Sequence, residues 1–300
     1  MFKNIIVYRI DPSWSKTTAQ IEAGLSLVRF MTCGASQEKS LGWSPPRDAK
    51  HGMLVESVGG QLMLRLTTET KVLPASVVKR RAEERIEKIE ETTGRKPSRM
   101  ERKDIREETL LELLPKAFTR MSNTAVWIDP KARLLVIDAS GQTKADEVVA
   151  VLLRSLNGLV ITLIQTNIAP STQMAAWLMS HEAPGGFDVD RECELKATDD
   201  SQSVVRYSKH TLNNEEVRKH IKNSKMPTRL ALTWKGRVSF VLNDCLQVRK
   251  IKFLDGVFDA SDNATQDEDR FDADVAIVTG ELGKLIPELI DALGAEMVAA

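Results

Sequence analysis

Apolar and polar residues alternate from the first strand-length segment, Ile5-Ile6-Val7-Tyr8-Arg9-Ile10, and Ser15 to Phe30 then takes up helical spacing. Met53 to Val72 holds two strand-like runs about Gly59-Gly60, a pair that tolerates positive φ and so predicts a hairpin. After Pro74 the apolar positions thin out. Val77, Val78, Ile86 and Ile89 mark a charged helix through about Glu91, and Thr92-Thr93-Gly94 ends it. Ser98-Arg99-Met100-Glu101 then offers a capping box for a second helix, which reaches Leu114 on Ile105, Leu110 and Leu111. Stripes this sparse predict a charged helical hairpin that projects from the body.

Pro115 stops that arm. Thr124 to Asp129 and Arg133 to Asp138 read as short strands, and Thr143 to Asn157 as a helix on Val148, Val149, Leu152 and Leu156. A boundary is expected near Thr166 to Ser171, followed by a short helix around Trp177 and the loop Pro184-Gly185-Gly186. Asn213-Asn214-Glu215-Glu216 can cap a helix to about Asn223. Thr228 to Trp234 and Arg237 to Asn243 flank Lys235-Gly236 as a hairpin, and Gln247 to Leu254 adds a strand. Asp274 to Thr279 reads as a strand and Gly280 to Leu293 as a helix kinked at Pro287. The expected class is α+β, with mixed sheets and flanking helices. Its regions are 1–74 with 115–168, the hairpin 75–114, and a second α+β region 169–300.

Charge changes this picture, because a formal net charge of zero hides a polarised chain. Arg206 to Lys252 carries twelve Lys or Arg against three acids, whereas Asp255 to Ala300 carries two against twelve. The basic segment spans several predicted elements, so it describes a structured surface able to meet successive phosphates. Alternation puts Leu230, Leu232 and Trp234 on one strand face and Arg229, Ala231 and Thr233 on the other, so one face can be core while the other meets DNA. The candidate phosphate contacts are Lys209, Lys222, Lys225, Arg229, Lys235, Arg237, Arg249, Lys250 and Lys252, with Arg95, Lys96 and Arg99 at the hairpin tip. Along the hairpin the bland alternative is strong, since many charges have opposite neighbours three or four residues away.

Catalytic chemistry finds little support. Gly141-Gln142-Thr143-Lys144 lacks the first glycine and the Lys-Ser/Thr ending of a phosphate loop. Asp188, Asp190, Glu192, Glu194 and Lys196 invite a magnesium-nuclease reading, but their spacing is compressed, and on an alternating edge strand they would share one solvated face. His51, His181, His210 and His220 form no close ligand pair, and Cys33, Cys193 and Cys245 suggest reduced packing residues. No metal or cofactor is expected. Trp127 and Trp234 sit in apolar strand patterns and read as core. No run approaches the ~20 apolar residues of a membrane span, and the start patterns as a strand rather than a signal peptide, which predicts a cytoplasmic protein without membrane contact.

Several motifs, taken in order, carry a resemblance. Phe2-Lys3-Asn4-Ile5, Gly42-Trp43-Ser44-Pro45-Pro46, Lys71-Val72-Leu73-Pro74, Leu113-Leu114-Pro115-Lys116-Ala117-Phe118-Thr119-Arg120, Val126-Trp127-Ile128-Asp129, Leu230-Ala231-Leu232-Thr233-Trp234 and Arg270-Phe271-Asp272-Ala273-Asp274 together resemble the bacterial RdgC recombination-associated family. That resemblance implies a non-enzymatic, nucleoid-associated protein whose two subunits form a ring around double-stranded DNA, binding with little sequence preference and restraining RecA-promoted recombination. It also makes Phe118, Lys209 and His210 candidates for the homodimer interface, with core packing as the alternative for Phe118; His210 stands where relatives carry glutamine. Two rivals follow from the residues, a magnesium-dependent nuclease and a protein-interaction adaptor built on the hairpin without DNA affinity.

Overall fold

A computed structural model describes residues 2–47, 52–258 and 267–297, so His51 lies outside the described residues. In chain order its elements begin with β1 (Ile5–Ile10), α1 (Thr18–Ser26), β2 (Lys39–Ser44), β3 (Val55–Val58), β4 (Gln61–Val72), α2 (Ala75–Thr93) and α3 (Arg99–Leu113). After a single 3₁₀ turn come β5 (Phe118–Asp129), β6 (Leu134–Asp138), α4 (Gln142–Ser155), β7 (Ile161–Leu163) and α5 (Pro170–Ser180). The chain finishes with β8 (Phe187–Ala197), β9 (Val204–Ser208), α6 (Glu215–Lys222), β10 (Lys225–Trp234), β11 (Val238–Asn243), β12 (Val248–Phe253) and α7 (Asp267–Ala292). Two compact units result. One comprises Met1–Leu25, Pro45–Leu64 and Ala125–Ala300, the other Ser26–Ser44 and Arg65–Thr124.

In the larger unit the strands run β6-β1-β12-β11-β10-β8-β9, with β7 also against β1. Their registers are antiparallel, which corrects the mixed-sheet expectation to an antiparallel one. Connectivity is the reason: β8–β9, β10–β11 and β11–β12 are joined by short links, and tight turns make antiparallel neighbours. β8 lies between β9 and β10, so it is an interior strand and not an edge. The β10–β11 turn uses Lys235 at φ 48° and Gly236 at φ 63°, successive positive values that match the right-handed strand twist.

Leu230, Leu232 and Trp234 of β10, Val238, Phe240 and Leu242 of β11, and Val248 and Ile251 of β12 are buried in one cluster with Met174, Trp177 and Leu178 of α5. α7 seals the same cluster and supplies the main correction. Asp274 to Thr279 is helical, because Val275, Val278, Leu282, Leu285, Ile286 and Leu289 keep one buried stripe across Gly280 and past Pro287. The segment Val275-Ala276-Ile277-Val278, with three β-branched residues in four, imitates a strand only when it is viewed alone.

In the smaller unit β2 pairs with β4 from Lys39↔Thr70 to Ser44↔Arg65. α1 stops at Ser26, before the expected Phe30, because the following backbone pairs with β2: Phe30 N–H donates to the Trp43 carbonyl at 2.8 Å. A side chain at Gly42 would lie 2.6 Å from the Phe30 backbone, so this approach requires glycine. The hairpin forms as the sequence predicts. Ser98 accepts from Glu101 N–H while the Glu101 carboxylate accepts from Ser98 N–H, and Gly94 ends α2 in the left-handed region. On α2 and α3 only Val78, Ala82 and Thr109 are buried.

Candidate nucleic-acid interface

With α5 and α7 on one face of the β8–β12 sheet, the opposite face is left to the alternate residues of the same strands. Register fixes which residues those are. Lys252 stands across from Ser239, which stands across from Thr233; Arg249 lies across from Val241, which lies across from Ala231; Arg229 is opposite Asn243. A bulge interrupts β12, where Lys250 and Ile251 together oppose Phe240, and Lys250 takes φ 54°. The extra residue keeps Ile251 in the core while Lys250 stays on the open face. Lys250 N–H donates to Asn4 Oδ1 at 3.2 Å, and Ile251 N–H to the Lys3 carbonyl at 2.9 Å.

A shallow cavity of about 430 Å³ opens on this face, lined among others by Lys209, Lys250, Lys252, Arg191, Ser208 and Ser239. Lys209 follows β9 at φ 55°, and Arg191 occupies an irregularity of β8 opposite Ala231. Arg191 and the two serines are cavity residues that sequence reasoning missed. The bulge that turns Arg191 outward depends on register with β10, which has no local signature.

Carboxylates share the face and organise it. Glu194 accepts from Arg206 Nε at 2.6 Å and from the Thr228 hydroxyl at 2.8 Å, and Arg229 lies 3.8 Å away. Burial alone would raise the Glu194 carboxyl, but these donors and both guanidinium charges hold it below the usual range. Lys250 Nζ donates to Glu192 at 2.6 Å, and the Thr233 hydroxyl to Asp190 at 2.8 Å. Among the described residues these acids form no group of three or more positioned around a common metal site.

The other candidates occupy different places. Lys235 Nζ donates to Glu288 at 2.6 Å, and Arg237 makes two 2.8 Å bonds to Glu281, so both turn toward α7. Lys222 is exposed at the last turn of α6, and Lys225 donates to the Ser203 hydroxyl. At the hairpin tip Arg95 is bound through two nitrogens to Glu101, which draws that carboxyl down to about 2 with help from Ser98 N–H. Arg95 thus braces the helix cap, while Lys96 and Arg99 are exposed. Arg99 also lines a second basic cavity with Arg102, Lys103 and Arg106.

The interface candidates are solvent-facing in the single chain. Phe118 is 87% exposed, which removes core packing as its role there, and β5 is exposed from Phe118 to Asn123. Lys209 and His210 are exposed too; His210 Nδ1 lies 2.8 Å from the Thr211 carbonyl, and its ring is 5.6 Å from that of Tyr207. Trp127 and Trp234 are buried, as their strand patterns require. No described helix is long and apolar enough to cross a membrane.

Residues 1–296 match the sequence model of a family described as "Putative exonuclease, RdgC". Among curated proteins, the chain is 41% identical to the recombination-associated protein RdgC of Dechloromonas aromatica, covering 100% of this chain and 99% of that one. It is 43% identical to the protein of the same name from Cupriavidus necator over 99% of each chain, and 40% identical to that of Bordetella pertussis over 98% of each.

Proposed function

The chain belongs to the RdgC family, and from that premise we propose that it is a double-stranded DNA-binding protein that acts without breaking a bond and modulates RecA-dependent recombination. One observation carries the reading: the β8–β12 sheet buries one face under helices and leaves Lys209, Arg229, Arg249, Lys250 and Lys252 on the other. Such a face meets phosphates without reading bases, so affinity comes from counterion release and depends little on sequence. Strands about 4.8 Å apart make five of them roughly 19 Å wide. A duplex laid across that width presents about eleven phosphate charges.

In this reading two copies enclose the duplex as a ring. Support comes from the exposed first half of β5 with Phe118 at its end, and from Lys209 and His210 beside the bare face. Encirclement of DNA would obstruct assembly of a recombinase filament. Three of the β8 carboxylates that the nuclease rival would use, Asp190, Glu192 and Glu194, are engaged by Thr233, by Lys250, and by Arg206, Arg229 and Thr228 respectively.

The test is a salt series on linear duplexes of unrelated sequence, run with magnesium and with product analysis, beside sedimentation of wild type and Phe118→Asp. Tight, sequence-independent binding that weakens steeply with salt, intact DNA and loss of the two-copy species in the variant are expected. A flat salt response refutes phosphate-dominated binding, and cleavage lost in Glu194→Gln supports the nuclease instead.

A further inference from the structure

Lys235 and Arg237 flank Gly236 at the β10–β11 turn, and each is neutralised by α7 rather than by a neighbour on the sheet. Their partners, Glu288 and Glu281, are seven residues apart, two helical turns, and so project from one side of the helix. The pairs are not sealed. Lys235 and Arg237 keep 47% and 46% of their side-chain surface in water, so a phosphate oxygen can reach either cation while the pair is intact.

Releasing these cations does not leave the acids without support. Glu288 also accepts from Trp234 Nε1 at 2.7 Å, a bond that survives the departure of Lys235. Glu281 lies within the field of Lys284 one turn further along. Lys235 Nζ sits 4.9 Å from the Trp234 ring centroid, so the ammonium has a second favourable position close at hand.

We propose that Glu281 and Glu288 are a built-in competitor for phosphate, holding Lys235 and Arg237 out of the DNA-binding set until a duplex displaces them. This rests on the duplex-binding reading above and adds its regulation: α7 sets how many cations the β10–β11 turn contributes. The Lys235–Glu288 pair is half-exposed and so weak enough for a polyanion that releases counterions to outcompete, whereas the Arg237–Glu281 pair, with its carboxylate buried, yields less readily.

The experiment measures the salt dependence of binding to one linear duplex for wild type, Glu288→Gln, Glu281→Gln/Glu288→Gln and Asp274→Asn/Asp291→Asn. The last removes the same charge from the same helix while leaving both paired carboxylates in place. Freed cations steepen the log-log slope by about 0.9 each, so the Glu pair variant gains up to about 1.8. The Asp control should gain less. Glu288→Gln serves alone if loss of the better buried Glu281 unfolds the chain, and adding Lys235→Ala to it should erase its gain. Equal slopes for the Glu and Asp variants, or a Glu288→Gln gain that persists without Lys235, overturn the competitor. Failure of every variant, wild type included, to bind duplex removes the functional reading itself.

Discussion

Lys209 and Lys252 line the open cavity of the sheet, are exposed, and make no ion pair among the described residues, so replacing both by alanine removes charge without leaving an acid unpaired. If each meets one phosphate, its removal lowers the slope of log affinity against log salt by about 0.9, and the pair by about 1.8. At 0.1 M salt the logarithm is one unit below that at 1 M, so each contact contributes about 0.9 in log affinity, roughly eightfold, and the pair roughly sixtyfold. Fluorescence anisotropy of a labelled duplex between about 50 and 200 mM salt reads both quantities at once. Because both side chains are exposed, the urea midpoint should move by no more than about 0.5 kcal/mol of stability, which separates lost binding from lost fold. A sixtyfold loss with an unchanged slope would refute phosphate contact, since the counterion term cannot change affinity here without changing the slope.

Two further outcomes test the architecture. Leu282→Ala empties a fully buried position on α7 and should cost about 2–5 kcal/mol by urea unfolding. The Glu101 carboxyl is depressed to about 2 mainly by the Arg95 hydrogen bonds, so its contribution to the hairpin cap is complete above the ordinary value of 4.5 and is lost as pH falls through about 2. Carbon-detected NMR should find its titration near pH 2 in wild type and nearer 4.5 in Arg95→Ala.

What could be read in the sequence was local. The Ser98–Glu101 capping box, the Gly59-Gly60 and Lys235-Gly236 turns and the Asn214 cap of α6 are each written within four residues, and each forms as its chemistry dictates. Alternation in β10 likewise separates Leu230 and Leu232 from Arg229 correctly, because period two needs no partner. What escaped depends on distant pairing. β2 acquires its place from β4 and from the Gly42–Phe30 approach, neither visible in Lys39-Ser40-Leu41-Gly42-Trp43-Ser44 itself. The Arg237–Glu281 pair spans 44 residues, so a tally of basic residues counts Arg237 as available when α7 has neutralised it. Phe118 is the opposite case: apolar content suggests burial, but the end of β5 leaves it in water.

The carboxylates of β8 sharpen the duplex reading, although uncompensated acid would repel DNA. Glu194 stands between Arg206 and Arg229, and Glu192 holds Lys250, so each acid fixes the direction of long side chains that would otherwise be ordered only on binding. Ordering them beforehand lowers the entropy lost when phosphate arrives, while the same acids cut the net field. One copy therefore presents a preorganised surface of modest surplus charge. Five phosphate contacts from the five open-face candidates cap the slope near 4.5 for one copy, and lower while Arg229 and Lys250 stay with Glu194 and Glu192, and a pair enclosing one duplex about doubles it. The observed slope therefore distinguishes a single face laid on DNA from two faces closed around it, and a value above about 5 for the wild type with a halved value for Phe118→Asp is the signature that the closed arrangement requires.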